Sequence, residues 1–549
     1  MQIRATRTWR SNPCDIFCAL HTNFSQPSAT DQVLPKTRER NESWLQKVGI
    51  PNPIIRQHST NSISHADLLF RVSSLLEADP GLPHSQPTAA FWQSPLHELP
   101  AANSTQLPST ATTVVIGSGI TACSLVKALL EKDPNADIIV CEARGLSSGA
   151  TGRNGGHLVS SAVADFSSLQ ATFGTEMAVK IACFTLENVE RIFEVAKELG
   201  PEIEAASELR RVDKVLALRD AEAVEKLRKS MEAFEKSMPE KWKGQMKLVG
   251  KVELEERYKL RNVAGGGIVK GGALWPYRLI ARAWSHLLTQ NPSRLRIETQ
   301  TPVTSVTSNS DPAFPYLITT SRGAISAKEV VHCTNGHTGH LLPRLRGTLF
   351  PLRGTMTVQD CGQSFPKEGD SRTLSFYGTV QFDRVTEVFD LGLHYMQQNA
   401  VTGDVFIGGE TARATDLLNS DDSCVSESSI KTLENVLPEE FRDEVFEKDD
   451  QGGPHVKSKW SGIMGFTADG VPLVGRLPKA ATGRTSNGEW IAAGFNGYGM
   501  GNCWLTGEAL AGMMRGEGVS PSLPECYLAT EDRLSSLGAD RAAERLFGY

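Results

Sequence analysis

Thr113-Val-Val-Ile116-Gly117-Ser118-Gly119-Ile120-Thr121-Ala122 is the stretch whose reading decides the fold. A short apolar run, rich in β-branched residues, ends in G-x-G-x-x-A and passes directly into a predicted helix, Ala122 to Leu130. A second apolar run, Ala136-Asp-Ile-Ile-Val-Cys-Glu142, follows it. Strand, glycine turn, helix and strand make a βαβ unit, which implies a parallel sheet covered on both faces. In such a turn the first glycine permits the tight bend and the second lets a pyrophosphate approach the backbone. The third position must be small so that helix and strand can pack, and Ala122 is. Open N–H groups and the dipole at the helix start favour the phosphate charge. Glu142 closes the second strand, where its carboxylate can accept from ribose hydroxyls. The unit reads as a dinucleotide site.

Working outward, Ser147-Ser-Gly149-Ala150-Thr151-Gly152-Arg153-Asn154-Gly155-Gly156-His157 is dense in glycine, so its backbone can run close to a second large ligand group. Far away in the chain, Gly494-Phe-Asn496-Gly497-Tyr498-Gly499-Met500-Gly501 places another such loop before a helix predicted near 502–514. A helix start there can stabilise negative charge on a reduced isoalloxazine. A nicotinamide enzyme needs neither loop, so the pattern points to FAD.

At this point the sequence resembles the D-amino-acid-oxidase-like superfamily of FAD-dependent oxidoreductases, near glycine, sarcosine and γ-glutamylputrescine oxidases and a fungal branch. The carrying motifs are VVIGSGITA (114–122), CEAR (141–144), SGATGRNGGH (148–157), VVHCTNGHT (330–338), GFTADGVPLVG (465–475) and AAGFNGYGMG (492–501). Phe91-Trp92 also looks like that branch. The resemblance implies extended FAD between an α/β, Rossmann-like FAD-binding domain and an interleaved α+β substrate domain on a mainly antiparallel sheet. Residue by residue, it implies that Gly117, Gly119 and Ala122 meet the pyrophosphate, with Ser118, Ile120 and Thr121 between them. Glu142 meets the adenosine ribose, followed by Ala143 and Arg144. Thr151, Gly152, Arg153, Asn154 and Gly155 line the flavin or its ribityl chain, within a loop that includes Gly149, Ala150, Gly156 and His157. Val303 meets adenine, and Gly497, Tyr498, Gly499, Met500 and Gly501 face the pyrimidine edge, after Gly494 and Asn496. Thr334, Asn335 and Gly336 stand where the family often has Ala-Thr-Gly or Ala-Gly-Ala, a departure at that contact. His157 raises covalent histidyl attachment of the flavin as an alternative.

The reaction the resemblance implies is oxidation of a C–N bond of an amine or amino acid by hydride transfer, with oxygen as acceptor and hydrogen peroxide as product. No acid or base is obligatory, so no catalytic motif marks the substrate side. Tyr395 on a substrate-domain strand, Arg353 as a carboxylate partner and His337 after a strand end are the catalytic candidates. A flavin monooxygenase, another FAD oxidoreductase of secondary metabolism, or a flavin-binding protein without amine oxidase activity remain the competing readings.

Composition bounds these readings. The 549 residues are 40% hydrophobic with a net charge of −6, which excludes a mainly disordered chain and a nucleic-acid footprint. No apolar run spans a membrane. The ten cysteines are scattered without CxxC pairs, against a zinc site or disulfide scaffold and for an intracellular, cytoplasmic setting. Residues 1–65 hold eight Lys/Arg against four acids, a balance of +4 that leaves −10 for the rest. This basic extension reads as disordered or as targeting, with a mitochondrial address as the alternative. A Pro-rich arm (66–111) leads into the first part of the FAD-binding domain (112–218). A mixed helical and substrate-domain segment (219–300), a return to the FAD-binding domain (301–350) and the substrate domain (351–460) follow. The FAD-binding domain then closes (461–520) before a tail (521–549). Residues 412–450 read as a charged, helical, solvated insertion.

Overall fold

A computed structural model describes residues 65–97, 103–383, 386–446 and 454–547. The basic extension lies outside the described residues except at its last position.

The βαβ unit forms as the sequence predicts. Strand Thr110–Ile116 enters helix Ile120–Lys132, and strand Ile138–Cys141 pairs parallel to the first. Around them the first sheet runs Leu473–Arg476, Glu489–Ala493, Gly323–His332, Thr110–Ile116, Ile138–Cys141 and Leu295–Glu298. Val115 and Val140 face helices Ile120–Lys132, Pro276–Gln290 and Cys503–Met514, which supply one apolar layer. Val114, Ile116 and Ile139 face the other way, onto Val303, Tyr316 and Ile318 of a β-hairpin. Both faces of the parallel strands are thus buried, which is why they read as continuous apolar runs.

The second sheet has ten strands among the described residues, running from His455–Thr467 through Leu349–Asp360, Val405–Arg413, Val388–Gln398, Arg372–Tyr377, Arg210–Leu218 and Gly265–Ala273 to His157–Leu158. Only Arg372–Tyr377 and Arg210–Leu218 pair in parallel; the other pairings are antiparallel. Two segments sit differently from their expected grouping. Arg210–Leu218, placed by sequence order with the FAD-binding part, pairs in the second sheet because its partners 265–273 and 372–377 lie there. His455–Thr467 crosses the expected boundary at 460 as one unbroken strand along Leu349–Asp360.

The 412–450 stretch is, over its described residues 412–446, not a solvated insertion. Its helix Glu427–Glu440 carries Ile430, Leu433, Val436 and Leu437 at helical spacing, all buried. They pack beneath the second sheet on Val215, Ala217, Phe376 and Ile407, while Glu427, Lys431, Glu434 and Glu439 are exposed and Glu440 is buried. The arm likewise begins as helix His65–Leu76, packed on the C-terminal helix Ala539–Phe547 through Leu68, Val72, Ala542 and Leu546. No described helix is long and apolar enough to cross a membrane.

Candidate active site

Between the two sheets runs a continuous cavity of about 300 Å³. One end opens at the glycine turn. Gly117 has φ +103°, and a Cβ there would stand 2.7 Å from the Cys333 carbonyl, so this bend requires glycine on both counts. Ser118 donates to Glu142 Oε2 through its N–H at 3.1 Å and its hydroxyl at 2.6 Å, while the Arg144 N–H donates to Oε1 at 2.9 Å. Three donors leave the carboxylate about one further acceptor position, and Glu142 lines the cavity. The Ile120 N–H, first of the helix, donates to Thr151 Oγ1 at 3.0 Å. That bond ties the glycine-dense loop to the helix that follows the glycine turn.

The loop itself is held from outside the cavity. Arg144 and Arg153 are both buried. Arg144 meets Asp422 at 2.9 Å, and Arg153 lies 3.6 Å from the same carboxylate while donating to the carbonyls of Ser148 and Ser461. Burial pulls Arg153 down to about 10, so it stays charged at neutral pH. The arm crosses over the loop. Trp92 stacks on Phe406 at 3.8 Å and donates to the Asn154 carbonyl at 2.5 Å, and the Gln93 amide bonds the carbonyls of Ser148 and Gly152. Further along the arm, Gly81, Leu82 and Pro83 form part of the cavity wall.

Of the predicted cofactor contacts, Gly117, Ser118, Gly119, Ile120, Thr121, Glu142, Ala143, Arg144, Gly149, Ala150, Thr151, Arg153, Asn154, Gly155, His157, Val303, Thr334, Asn335, Gly497, Tyr498, Gly499, Met500 and Gly501 line this one cavity. Six others support it from behind. Ala122 is wholly buried between helix and sheet. Gly152 abuts the Ser147 carbonyl, Gly156 abuts Gln397 and Trp92, and Gly336 abuts the Met464 carbonyl, each too closely for a Cβ. Gly494 abuts Thr467, and Asn496 accepts from the Thr467 N–H at 3.0 Å, pinning the late loop to the second sheet.

At the far end the cavity is walled by the inner face of the second sheet. Register places Gly354, Met356, Ser375, Tyr377, Leu393 and Tyr395 on that face. The Tyr395 ring occupies a slot between Gly155 and Gly408, where a Cβ on either would come within 2.6 Å of it. Burial raises its phenol, with Glu410 adding to the effect, so Tyr395 is a neutral donor. His157 lies edge-on to Tyr395 at 5.8 Å and is lowered to about 3, chiefly by burial; its Nε2 is buried without a hydrogen-bond partner. His337 also lines the cavity, lowered by burial to about 4, with Nδ1 on the Gly81 carbonyl at 3.2 Å. Both imidazoles are neutral at physiological pH.

Arg353 does not belong here. Strand alternation turns it away from Gly354 and Met356, and its guanidinium is held by Asp416, the Asp421 carbonyl and the Cys424 thiol. Sequence reasoning also passed over Lys214, Ser375 and Tyr377 on the cavity face, and Asp422 behind the loop.

The residues fit an extended dinucleotide. One end offers a glycine turn, a helix start and an anchored carboxylate; two glycine loops flank the middle; and buried, unpartnered Arg144 Nε and His157 Nε2 belong to residues on its wall. A family model described as FAD dependent oxidoreductase matches residues 112–513. None of the curated proteins compared with the chain matches it. Solved structures of similar fold include glycine oxidase from Geobacillus kaustophilus, 18% identical with TM-score 0.59, covering 77% of this chain and 99% of that one. L-proline dehydrogenase from P. horikoshii is 18% identical with TM-score 0.55, covering 77% and 98%. L-amino acid deaminase from Proteus vulgaris, with its specific insertion sequence deleted, is 15% identical with TM-score 0.56, covering 81% and 99%.

Proposed function

Because the chain belongs to the family of FAD-dependent oxidoreductases, we propose that it oxidises a C–N bond of an amine or amino acid, with oxygen as the final acceptor. The observation that carries this reading is the continuity of the cavity, from the Gly117–Gly119 turn to the sheet face bearing Tyr377 and Tyr395. A chamber walled by one domain thereby adjoins the far end of a dinucleotide site built by the other.

Bound FAD would supply the redox chemistry, taking up the two electrons of the C–N bond oxidation as a hydride equivalent with oxygen as the final acceptor. The chain's own residues bind and orient. The turn and helix start at Gly117 to Ala122 would hold the pyrophosphate, and Glu142 would hold the ribose. The loops 149–157 and 497–501 flank the flavin end, with the Thr151 hydroxyl and the Asn496 amide fixing one against the helix and the other against the second sheet. The neutral imidazoles of His157 and His337 add no charge beside the site. Leu393, Met356 and the Tyr395 ring restrict water at the reacting end.

The test is anaerobic mixing of the purified yellow protein with a panel of primary and secondary amines and amino acids, glycine and L-proline among them. Bleaching of the flavin band by at least one member, followed by peroxide release in air, is the expected result. No bleaching across the panel sinks the amine-oxidation reading.

A further inference from the structure

The N-terminal arm reaches the cavity at Gly81-Leu82-Pro83. Leu82 is 37% exposed and lines the cavity wall, whereas most leucines of the chain are core residues. The contacts of its neighbours fix which end of the cavity it borders. The Gly81 carbonyl accepts from Nδ1 of His337 at 3.2 Å, and the His84 carbonyl accepts from Arg144 at 3.3 Å. Pro80 lies so close to Gly339 that a Cβ there would stand 3.3 Å from it. The Arg144 N–H in turn bonds Glu142, and Leu341 packs with Ile116, Cys141 and Val303 on the same cavity. Leu82 and Pro83 therefore border the end that holds Glu142 and Val303.

This segment is fastened from both domains. Asp79 pairs with Arg346 at 2.7 Å and with His340 at 3.0 Å, and its Oδ1 accepts from the Gly81 N–H at 2.9 Å, which sets the turn into Leu82. From the other side the Ser420 hydroxyl donates to the Pro80 carbonyl at 2.5 Å, and the Asp422 carbonyl accepts from the Thr88 N–H at 2.7 Å. These bonds hold backbone and charge, so the Leu82 side chain takes its place on the wall by the course of a fixed backbone. The wall there combines apolar surface from Leu82, Pro83, Leu341 and Val303 with the Glu142 carboxylate, which has about one acceptor position left. A flat apolar ring joined to a hydroxyl-bearing sugar, an adenosine, matches that combination.

We propose that Leu82 and Pro83 form an outer jaw over the adenosine end of the FAD site, so that the N-terminal arm, which lies before the residues shared with the family, locks the dinucleotide in place. The inference rests on the FAD site and not on which substrate is oxidised. An adenine between Leu82 and Pro83 on one side and Val303 and Leu341 on the other would cover apolar surface on both faces, while its ribose meets Glu142. FAD then leaves only when the arm lifts locally. His337, a catalytic candidate by sequence, acts here as an anchor of the arm through its bond to Gly81.

Release of FAD from the holoenzyme tests the jaw. Wild type, Leu82→Ala, Leu82→Glu and Leu96→Ala are each purified with FAD bound and strongly diluted, and the rise of free-flavin fluorescence gives the release rate. Leu96 is the control: it is 69% exposed on the same arm and stands off the cavity wall. The expected result is release about fivefold faster in Leu82→Ala and at least about tenfold faster in Leu82→Glu, with Leu96→Ala at the wild-type rate. The visible flavin band keeps its position and shape in both Leu82 variants, because the jaw touches the adenosine end. Wild-type release in both Leu82 variants, equal acceleration in Leu96→Ala, or a shifted flavin band in Leu82→Ala overturns the proposal. A wild type that purifies without FAD overturns it together with the FAD site. Faster release in the Leu82 variants without bleaching by any amine keeps the jaw and removes the amine-oxidation reading. Bleaching with release unchanged does the reverse.

Discussion

The Asp422 carboxylate presents both oxygens to one guanidinium nitrogen of Arg144, at 2.9 and 3.0 Å, where the two side chains are 1% and 7% exposed. Arg153 stands 3.6 Å from the same carboxylate, so one acid holds two buried cations behind the glycine-dense loop. Asp422→Asn keeps the shape and removes the charge. Breaking a buried pair from one side typically costs about 3–5 kcal/mol, because the remaining charge stays desolvated. The variant is expected to melt earlier and to lose FAD on desalting, read as the ratio of flavin to protein absorbance. Wild-type flavin retention in Asp422→Asn would show that the pair does not hold the loop.

Trp92 fastens the arm over the loop, stacked on Phe406 and bonded to the Asn154 carbonyl. Trp92→Ala removes the stack, the bond and a fully buried ring, at a cost of about 3–5 kcal/mol. Trp92→Phe keeps an aromatic in the slot and leaves the carbonyl without this donor, at about 1 kcal/mol. Urea unfolding of the FAD-loaded forms should rank wild type, Phe and Ala in that order. A Phe variant as weak as the Ala variant would assign the fastening to the hydrogen bond rather than the stack.

Gly117 and Gly145 give a matched pair of substitutions near the turn. Gly117→Ala places a methyl 2.7 Å from the Cys333 carbonyl at φ +103°, where backbone must move. Gly145→Ala meets nothing within 4 Å. The first is expected to purify colourless and the second yellow, with Gly145→Ala stability equal to or slightly above wild type. Full flavin content in Gly117→Ala would show that the turn tolerates a shift of that carbonyl.

The βαβ unit was legible because a strand buried on both faces writes a continuous apolar run, and the glycine turn has a fixed position after it. Strand Gly265–Ala273 was not, because glycine hides the period. Gly266 and Gly272 are demanded by the Leu216 carbonyl and the Phe193 ring, contacts that only the folded sheet creates. Asp422 had no local signal, since its partner Arg144 lies 278 residues earlier. Arg353 misled for a reason of parity: neighbouring residues on a strand face opposite ways, and sequence does not say which way is in. Lys214, on the cavity wall, was passed over although it stands in the row of Val212, Leu216 and Leu218.

Glu410 sets a pH dependence on stability. Burial pushes its carboxyl up to about 7, against hydrogen bonds from Thr355 and Ser429 and the field of Arg353. A carboxyl raised in the folded state binds its proton more tightly there than in the unfolded chain, whose ordinary value is 4.5. Its contribution is therefore fully present below about pH 4.5 and is lost as pH rises through 7, leaving a penalty on the order of 3 kcal/mol above that. Glu410→Gln is neutral at every pH and can still accept from the Thr355 N–H, so it escapes the penalty. Urea unfolding at pH 5 and pH 8.5 should show Glu410→Gln close to wild type at the lower pH and more stable than wild type at the higher. Tyr395 does not confuse the comparison, because its phenol, raised by burial and by Glu410 itself, stays protonated across that range. A difference between Glu410→Gln and wild type that is the same at both pH values would mean that Glu410 does not titrate between them.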